Sequence, residues 1–468
     1  MDRAPAPCCR LVLLVAALQC SCTLHNGDPG GTATDWGGLG ILAGADERIQ
    51  KYRKAFAVIN VVAEGGTPAA DATIEIEQDS HEFLFGANNS LLMQYMIASS
   101  KHAWRPPDRV AQQGADITVR DVDSYLQKLA ALANYTTLPV WWNLYENEKG
   151  VIDEDLYKKE ISRLHGQGLK VLAHSLVWNN MTPDWVSDDC DELGKALDTR
   201  VSHFMSEYRD AFDYFLVVNE GANPFRPIFE DDKMTRCIKL MGTHAFASRV
   251  FTTARAAAPD AKLMINEVSI LKHQGFPALL RGLTDPRQRP LYDIIGIQSH
   301  MHEHLWSLDD VWKVCEGYAA FGAPIHFSEV TVLSGSPISG MKYGRTTTKE
   351  GERLQAEYAV RLYTVLFSHP AVQGIMWWNL SDFGAWRDAP AGLLRSDMGP
   401  KPAYSALVDL VRRKWWTRAQ TKTSRNGRAG FTGFFGIYHV TVTPKQGRPK
   451  VFDIRLSKDG VREFTLAL

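Results

Sequence analysis

Eight short apolar runs recur along the middle of the chain, at 83–86, 138–142, 170–177, 214–218, 262–266, 293–298, 325–328 and 374–378. They are too short for helices, rich in Val, Ile, Leu, Phe and Trp, and mostly lack the polar alternation of a half-solvated strand. They read as strands buried on both faces. Between them lie stretches with helical spacing of apolar positions, among them 153–167, 196–211, 233–257, 307–320 and 349–368. Strands alternating with helices imply a parallel sheet, and eight such units over roughly 330 residues predict an α/β fold, a closed (β/α)8 TIM barrel. The predicted barrel covers 81–412. A doubly wound open sheet is the rival, but no glycine-rich nucleotide fingerprint follows an early strand.

The pattern changes at both flanks. Strand-like runs at 55–62 and 72–77 surround a turn with Gly65, Gly66 and Pro68, which predicts a small N-terminal β appendage over 51–80. Beyond the barrel, Gly430, Gly433, Gly436, Gly447 and Gly460 punctuate runs such as 438–442 and 451–456, predicting a small C-terminal β module over 413–468. Residues 25–50, rich in Gly, Asp and Thr, read as a flexible lead into the fold. Arg3 and Arg10 precede an apolar stretch at 11–18 that is too short to span a bilayer. Residues 1–24 therefore read as a signal peptide, giving a secreted or periplasmic protein, with lipid attachment at Cys20 or Cys22 as the alternative. No later segment has the length of a membrane span.

A chain of 468 residues with 45% hydrophobic content can bury one large core plus appendages. A formal net charge of −1 supplies no general attraction to nucleic acid or anionic membranes. The expected state is a monomer. Outside the leader only Cys190, Cys237 and Cys315 remain, an odd set without metal-ligand spacing that allows at most one internal disulfide. Asn88, Asn134, Asn180 and Asn379 lie in Asn-X-Ser/Thr tripeptides, which matter only in a eukaryotic secretory pathway.

The barrel reading locates the chemistry, because such barrels gather their active groups at the C-terminal strand ends. Those ends carry Asn88, Asn143, His174, Asn219 with Glu220, Asn266 with Glu267, Gln298 with His300, Glu329, and Trp378 with Asp382. One polar strand end is uninformative, since a lone carboxylate is often an ion-pair partner; a whole rim of them is hard to explain by packing. Glu220 and Glu329 close two different strands, as glycoside hydrolysis requires of its acid and its nucleophile. Gln298 and His300, two apart on one predicted strand, point the same way. Trp178, Trp378 and Trp386 offer rings for sugar stacking, although a single Trp is more often core. The run His300-Met301-His302-Glu303-His304 raises metal-dependent hydrolysis as a rival. No second His cluster accompanies it, so neither a metal nor another cofactor is expected.

Taken together, these segments resemble the family 10 glycoside hydrolases, the β-1,4-xylanase family. Val217-Val218-Asn219-Glu220 is similar to that family's acid/base strand, and Ile325-His326-Phe327-Ser328-Glu329 to its nucleophile strand. Ala173-His174-Ser175-Leu176-Val177-Trp178, Gly296-Ile297-Gln298-Ser299-His300 and the spacing of Trp378, Asp382 and Trp386 look like further family segments. So do Ala261-Lys262-Leu263-Met264-Ile265-Asn266-Glu267 and Lys401-Pro402-Ala403-Tyr404. The resemblance covers about 80–411. It implies a retaining xylanase-like enzyme whose partner is a polysaccharide substrate, xylan or a related β-glycan, with Glu329 as nucleophile and Glu220 as acid/base. Substrate contacts would come from His174, Trp178, Asn219, Asn266, Gln298, His300, Trp378 and Trp386. The chain departs from the family at 137–142, where Thr-Leu-Pro-Val-Trp-Trp lacks the Glu-Asn and Lys that hold the distal sugar, and at Asn179 and Met181, which replace His and Gln. A non-catalytic carbohydrate-binding protein on the same barrel is the alternative from another class.

Overall fold

The computed structural model describes residues 36–100, 118–271, 274–339, 342 and 344–468. The signal peptide expected over 1–24 lies outside them. Strands β1 (Lys54–Val62) and β2 (Thr73–His81) precede the barrel. The barrel is built from β3 (Leu84–Ala87), β4 (Tyr135–Pro139), β5 (Lys170–Val177), β6 (Tyr214–Asn219), β7 (Leu263–Glu267) and β8 (Ile294–Ile297). The two-residue strand β9 (His300–Met301) follows, and then β10 (Ile325–Val332) and β11 (Val372–Trp377). Each barrel strand pairs in parallel with the next, and β11 pairs with β3, so the sheet closes on itself as the sequence predicts.

Closure leaves an interior that side chains must fill. Leu84, Tyr135, Leu172, Leu216, Met264, Ile294 and Met376 form one buried cluster, most of them from the first half of their strands, with Met376 on β11 opposite Gly86 of β3. His326 sits against Tyr135 and Tyr214, with ring centroids at 5.9 and 5.8 Å. This apolar floor leaves the polar groups to the opposite, C-terminal mouth.

Three stretches differ from expectation. The second barrel strand occupies Tyr135–Pro139, not 138–142. Its buried threonines disguise it: Thr136 bonds the Ala87 carbonyl at 2.7 Å and Thr137 the Asn88 side chain at 2.5 Å, so polar residues serve a strand with no solvent face. Trp142 instead opens a short helix, Trp142–Tyr145. The predicted helix at 233–257 is two, Lys233–Met241 and Thr243–Ala257, broken at Gly242 with φ 90°. Part of the expected flexible run is also helical, in Leu39–Ala43 and Ala45–Arg53, where Ala45, Ile49 and Arg53 recur every fourth residue on the buried face.

The predicted N- and C-terminal β modules prove to be parts of one sandwich. Strands β12 (Arg418–Lys422), β13 (Arg428–Phe434), β14 (Gly436–Thr443), β15 (Lys450–Leu456) and β16 (Glu463–Ala467) join β1 and β2 in two sheets, ordered β13-β1-β16 and β12-β2-β14-β15. Ile59, Val61, Ile74, Ile76, Tyr438, Val440 and Ile454 share its core. Sequence reading separated the halves because their pairing bridges more than three hundred residues, as in Val58 with Glu463. Cys190 and Cys237 form the single disulfide among the described residues, and Cys315 is free and buried. No helix among the described residues is long and apolar enough to cross a membrane.

Candidate active site

Glu329 sits within β10, where the register against β11 slips between Phe327 and Val330. Such a bulge re-aims a side chain without ending the strand. The carboxylate is buried and has three partners: His174 Nε2 at 3.2 Å and Asn266 Nδ2 at 2.8 Å on Oε1, and His300 Nε2 at 2.9 Å on Oε2. Burial alone pushes its pKa up, but hydrogen bonds and charge from His174 and His300 outweigh that and hold it at about 2. His174 comes from another irregular stretch, where β5 slips against β6 between His174 and Val177.

Glu220 follows β6 directly, with its backbone in the left-handed region at φ 58°. A glutamate rarely adopts that conformation, and such residues cluster where geometry serves function. The Glu220 amide bonds the Asn266 carbonyl at 3.1 Å, anchoring the turn to the neighbouring strand. Trp178 donates its indole N–H to Oε2 at 3.2 Å, and Gln298 donates its amide to Oε1 at 3.0 Å. Gln298 also reaches Asn219 Oδ1 at 3.3 Å, and Asn219 lies in register with Asn266, the partner of Glu329. A chain of amides therefore links the surroundings of the two carboxylates across the barrel mouth.

Eight of the predicted site residues thus meet in one network: His174, Trp178, Asn219, Glu220, Asn266, Gln298, His300 and Glu329. Trp378 packs on His174 and His300, with centroids at 5.1 and 5.8 Å, and Trp386 packs on His300 at 4.7 Å. At 43% exposure Trp386 leaves ring surface open at the rim, as a stacking platform needs. Gln298 and His300 do not share a continuous strand, however. Ser299, at φ 55°, divides β8 from β9, so one side chain serves Glu220 and the other Glu329.

Three expected strand-end groups have structural contacts instead. Asp382 is paired with the fully buried Lys401 at 2.7 Å; Asn143 lies in the helix Trp142–Tyr145; Asn88 accepts from Thr137. The three clustered histidines diverge. His300 serves Glu329, His302 is buried against Trp386 at 5.0 Å, and His304 is exposed beside Glu303. Among the described residues no group of three or more His, Cys, Asp or Glu is arranged to hold a metal.

Arg226 emerges only from the structure, and the strand-end Glu267 takes a role the sequence did not assign. Arg226, on the loop after β6, forms an ion pair with Glu220 Oε2 and stacks over Phe229 at 4.5 Å. Glu267, wholly buried at the end of β7, accepts the backbone amides of Ala222 at 2.8 Å and Val268 at 2.9 Å. Burial pushes its pKa up to about 7 against those bonds and the Arg226 charge. The loop holding Arg226 has no periodicity to read, which is why sequence patterning passes over it.

Residues 141–410 match the family described as Glycosyl hydrolase family 10. The chain is 26% identical over 427 residues to the anti-sigma-I factor RsgI6 of Acetivibrio thermocellus, an alignment spanning 88% of this chain and 48% of that protein. It is 27% identical over 299 residues to endo-1,4-beta-xylanase C of Paenibacillus barcinonensis, spanning 56% of this chain and 27% of that one. The chain therefore spans about half of the first relative and about a quarter of the second. Xylanase 10B of Thermotoga petrophila RKU-1, solved with xylobiose, shares the fold with a TM-score of 0.56 at 20% identity, over 71% of this chain and 95% of that one.

Proposed function

The chain belongs to glycosyl hydrolase family 10, and on that premise we propose that it is a retaining glycoside hydrolase acting on β-1,4-linked xylan or a related β-glycan. The observation carrying this reading is the contrast between two buried carboxylates at one barrel mouth. Glu329, held ionised down to a pKa of about 2, suits a nucleophile. Glu220 keeps an oxygen under the Trp178 indole and suits a proton carrier.

In the first step Glu329 attacks the anomeric carbon, the glycosidic C–O bond breaks, and the Glu220 proton passes to the leaving oxygen. In the second step water attacks the same carbon, the ester to Glu329 breaks, and Glu220 takes the water proton. Retention needs the carboxyl groups about 5–5.5 Å apart. His174, Asn266 and His300 orient Glu329 and disperse its charge, which makes the carboxylate a good leaving group when the glycosyl ester is hydrolysed. At 137–142, where the distal-sugar groups of the family are replaced, Trp141 packs against Trp178 at 5.9 Å. An indole beside the acid/base favours stacking over hydrogen-bonded grip of the distal unit, so decorated xylan or a shorter glycan is the preferred substrate.

The test is sugar release from xylans, mixed-linkage glucan and aryl β-glycosides by wild type and Glu329→Ala. Turnover lost in the variant supports the reading; equal turnover in both overturns it. A second reading is binding without turnover, since the relative aligned over 427 residues carries the name of an anti-sigma-I factor. Tight binding of xylo-oligosaccharide with no product would select it. An exported protein is also proposed, supported by the Cys190–Cys237 disulfide, since such bonds persist in oxidising compartments.

A further inference from the structure

Glu220 has an unusual neighbour for a group that must carry a proton. The Arg226 guanidinium pairs with Oε2, the same oxygen that accepts the Trp178 indole, while Gln298 donates to Oε1. All three favour the carboxylate over the acid, and only Arg226 does so with a full charge.

The loop fixes this cation in place. Ala222 is tied to Glu267, Asn179 donates to the Pro224 carbonyl and to Thr235 at 2.8 Å each, and Lys233 reaches the carbonyls of Asp184 at 2.9 Å and Val186 at 2.6 Å. The Cys190–Cys237 disulfide ties the helix just beyond the loop to the helix after β5. Phe229 lies under the guanidinium. The arginine is therefore part of the frame and not a freely swinging surface group.

We infer that Arg226 is a positioning residue that sets the protonation balance of Glu220, depleting the protonated form that the first step needs and populating the carboxylate that the second step needs. The inference rests on the proposed retaining hydrolysis. The charged groups around Glu220 are Arg226 on its own loop, Glu267 of β7, whose charge also acts on Arg226, and Glu329 of β10 with its partners His174 of β5 and His300 of β9. Glu329 opposes Arg226, since a second negative charge discourages ionisation of Glu220. Glu267 competes for the same arginine once ionised, and its pKa near 7 leaves Arg226 largely to Glu220 in acidic solution.

The experiment compares wild type, Arg226→Gln and Arg226→Lys. On a glycoside with a poor leaving group, the alkaline limb of kcat/KM reports loss of the Glu220 proton. It should move up by about one pH unit or more in Arg226→Gln and return towards wild type in Arg226→Lys. On a dinitrophenyl glycoside, whose departure needs no acid, the glycosylation step should be unaffected by either change. A limb that stays in place in Arg226→Gln, with its circular dichroism unchanged, overturns the inference. Should the protein turn over no glycoside, carboxyl ¹³C NMR of glutamate-labelled protein gives the same answer without catalysis, with Glu220→Gln assigning the resonance. A Glu220 titration midpoint that rises in Arg226→Gln sustains the inference even if hydrolysis fails, and an unmoved midpoint rejects it.

Discussion

His300 grips Glu329 from the second oxygen, with Nε2 at 2.9 Å from Oε2, while its Nδ1 is fixed by the Thr331 hydroxyl at 2.7 Å. Both ring nitrogens are engaged, which holds the imidazole in one orientation against Glu329, the proposed nucleophile. His300→Ala should lower kcat/KM by about 10²–10³-fold, the usual cost of removing one well-placed donor. It also removes one of the two groups lowering the Glu329 pKa from below its ordinary value, so the acidic limb of the pH profile should rise. An unchanged acidic limb in the variant would place the nucleophile elsewhere.

Glu220→Ala should separate the two chemical steps. With an activated aryl glycoside the ester on Glu329 forms without an acid, but water lacks its base. Stopped-flow should then record a burst of phenol followed by slow turnover, and azide, which needs no deprotonation, should speed the second phase. Loss of the burst itself would mean that Glu220 does more than move protons.

Three buried histidines should make the fold acid-sensitive. Burial lowers His81 and His326 to about 3 and His302 to about 2, so each stays neutral in the fold where the unfolded chain, near 6.5, takes up a proton. The unfolded state therefore gains protons first, and stability falls as pH drops below about 6.5, by roughly 1.4 kcal/mol per pH unit for each such group at the upper bound. His326→Phe, on the barrel floor away from the mouth, should flatten the decline in Tm between pH 6.5 and 4. A slope identical to wild type would show that the acid response arises elsewhere.

The Cys190–Cys237 bridge closes a 47-residue separation and should contribute about 2–4 kcal/mol. Denaturation of Cys190→Ser/Cys237→Ser in urea, with and without reductant, measures it. Reductant should shift wild type towards the variant and leave the variant unmoved.

Of the four Asn-X-Ser/Thr sites, only Asn180 is exposed, while Asn134 uses both ends of its amide on Phe85, His81 and Phe83. Passage through a eukaryotic secretory pathway should place a glycan at Asn180 alone, next to Trp178. Glycopeptide mass spectrometry that finds Asn134 occupied in folded protein would contradict this burial.

The sequence is most legible where one physical rule dominates. Strand β5 occupies 170–177 as predicted because every position but Lys170 is buried and Val171, Leu172, Ala173, Leu176 and Val177 supply an apolar run. Strand-end logic finds both glutamates and most of their partners, since closure of the barrel forces those positions together. It fails where buried hydroxyls stand in for apolar groups, as in Thr136 and Thr137, and where a left-handed residue such as Ser299 interrupts a strand. Arg226 is silent in the pattern because its position is set by loop anchors spread over three elements.

The shared sandwich also determines how the molecule would carry load. Strands β1 and β16 lie side by side and parallel, with Val58 opposite Glu463 and Val62 opposite Ala467. Tension applied upstream of β1 and downstream of β16 would pull these neighbours past each other lengthwise, straining their hydrogen bonds together and not one at a time. Upstream of β1 the load would first meet the helix Ala45–Arg53, which is seated on the barrel through Ile49 in its core and through Arg53 on the Phe367 and His369 carbonyls. A pull from that flank would therefore be shared between the barrel wall and the sandwich, whereas a pull from beyond β16 would be taken up by the sandwich first.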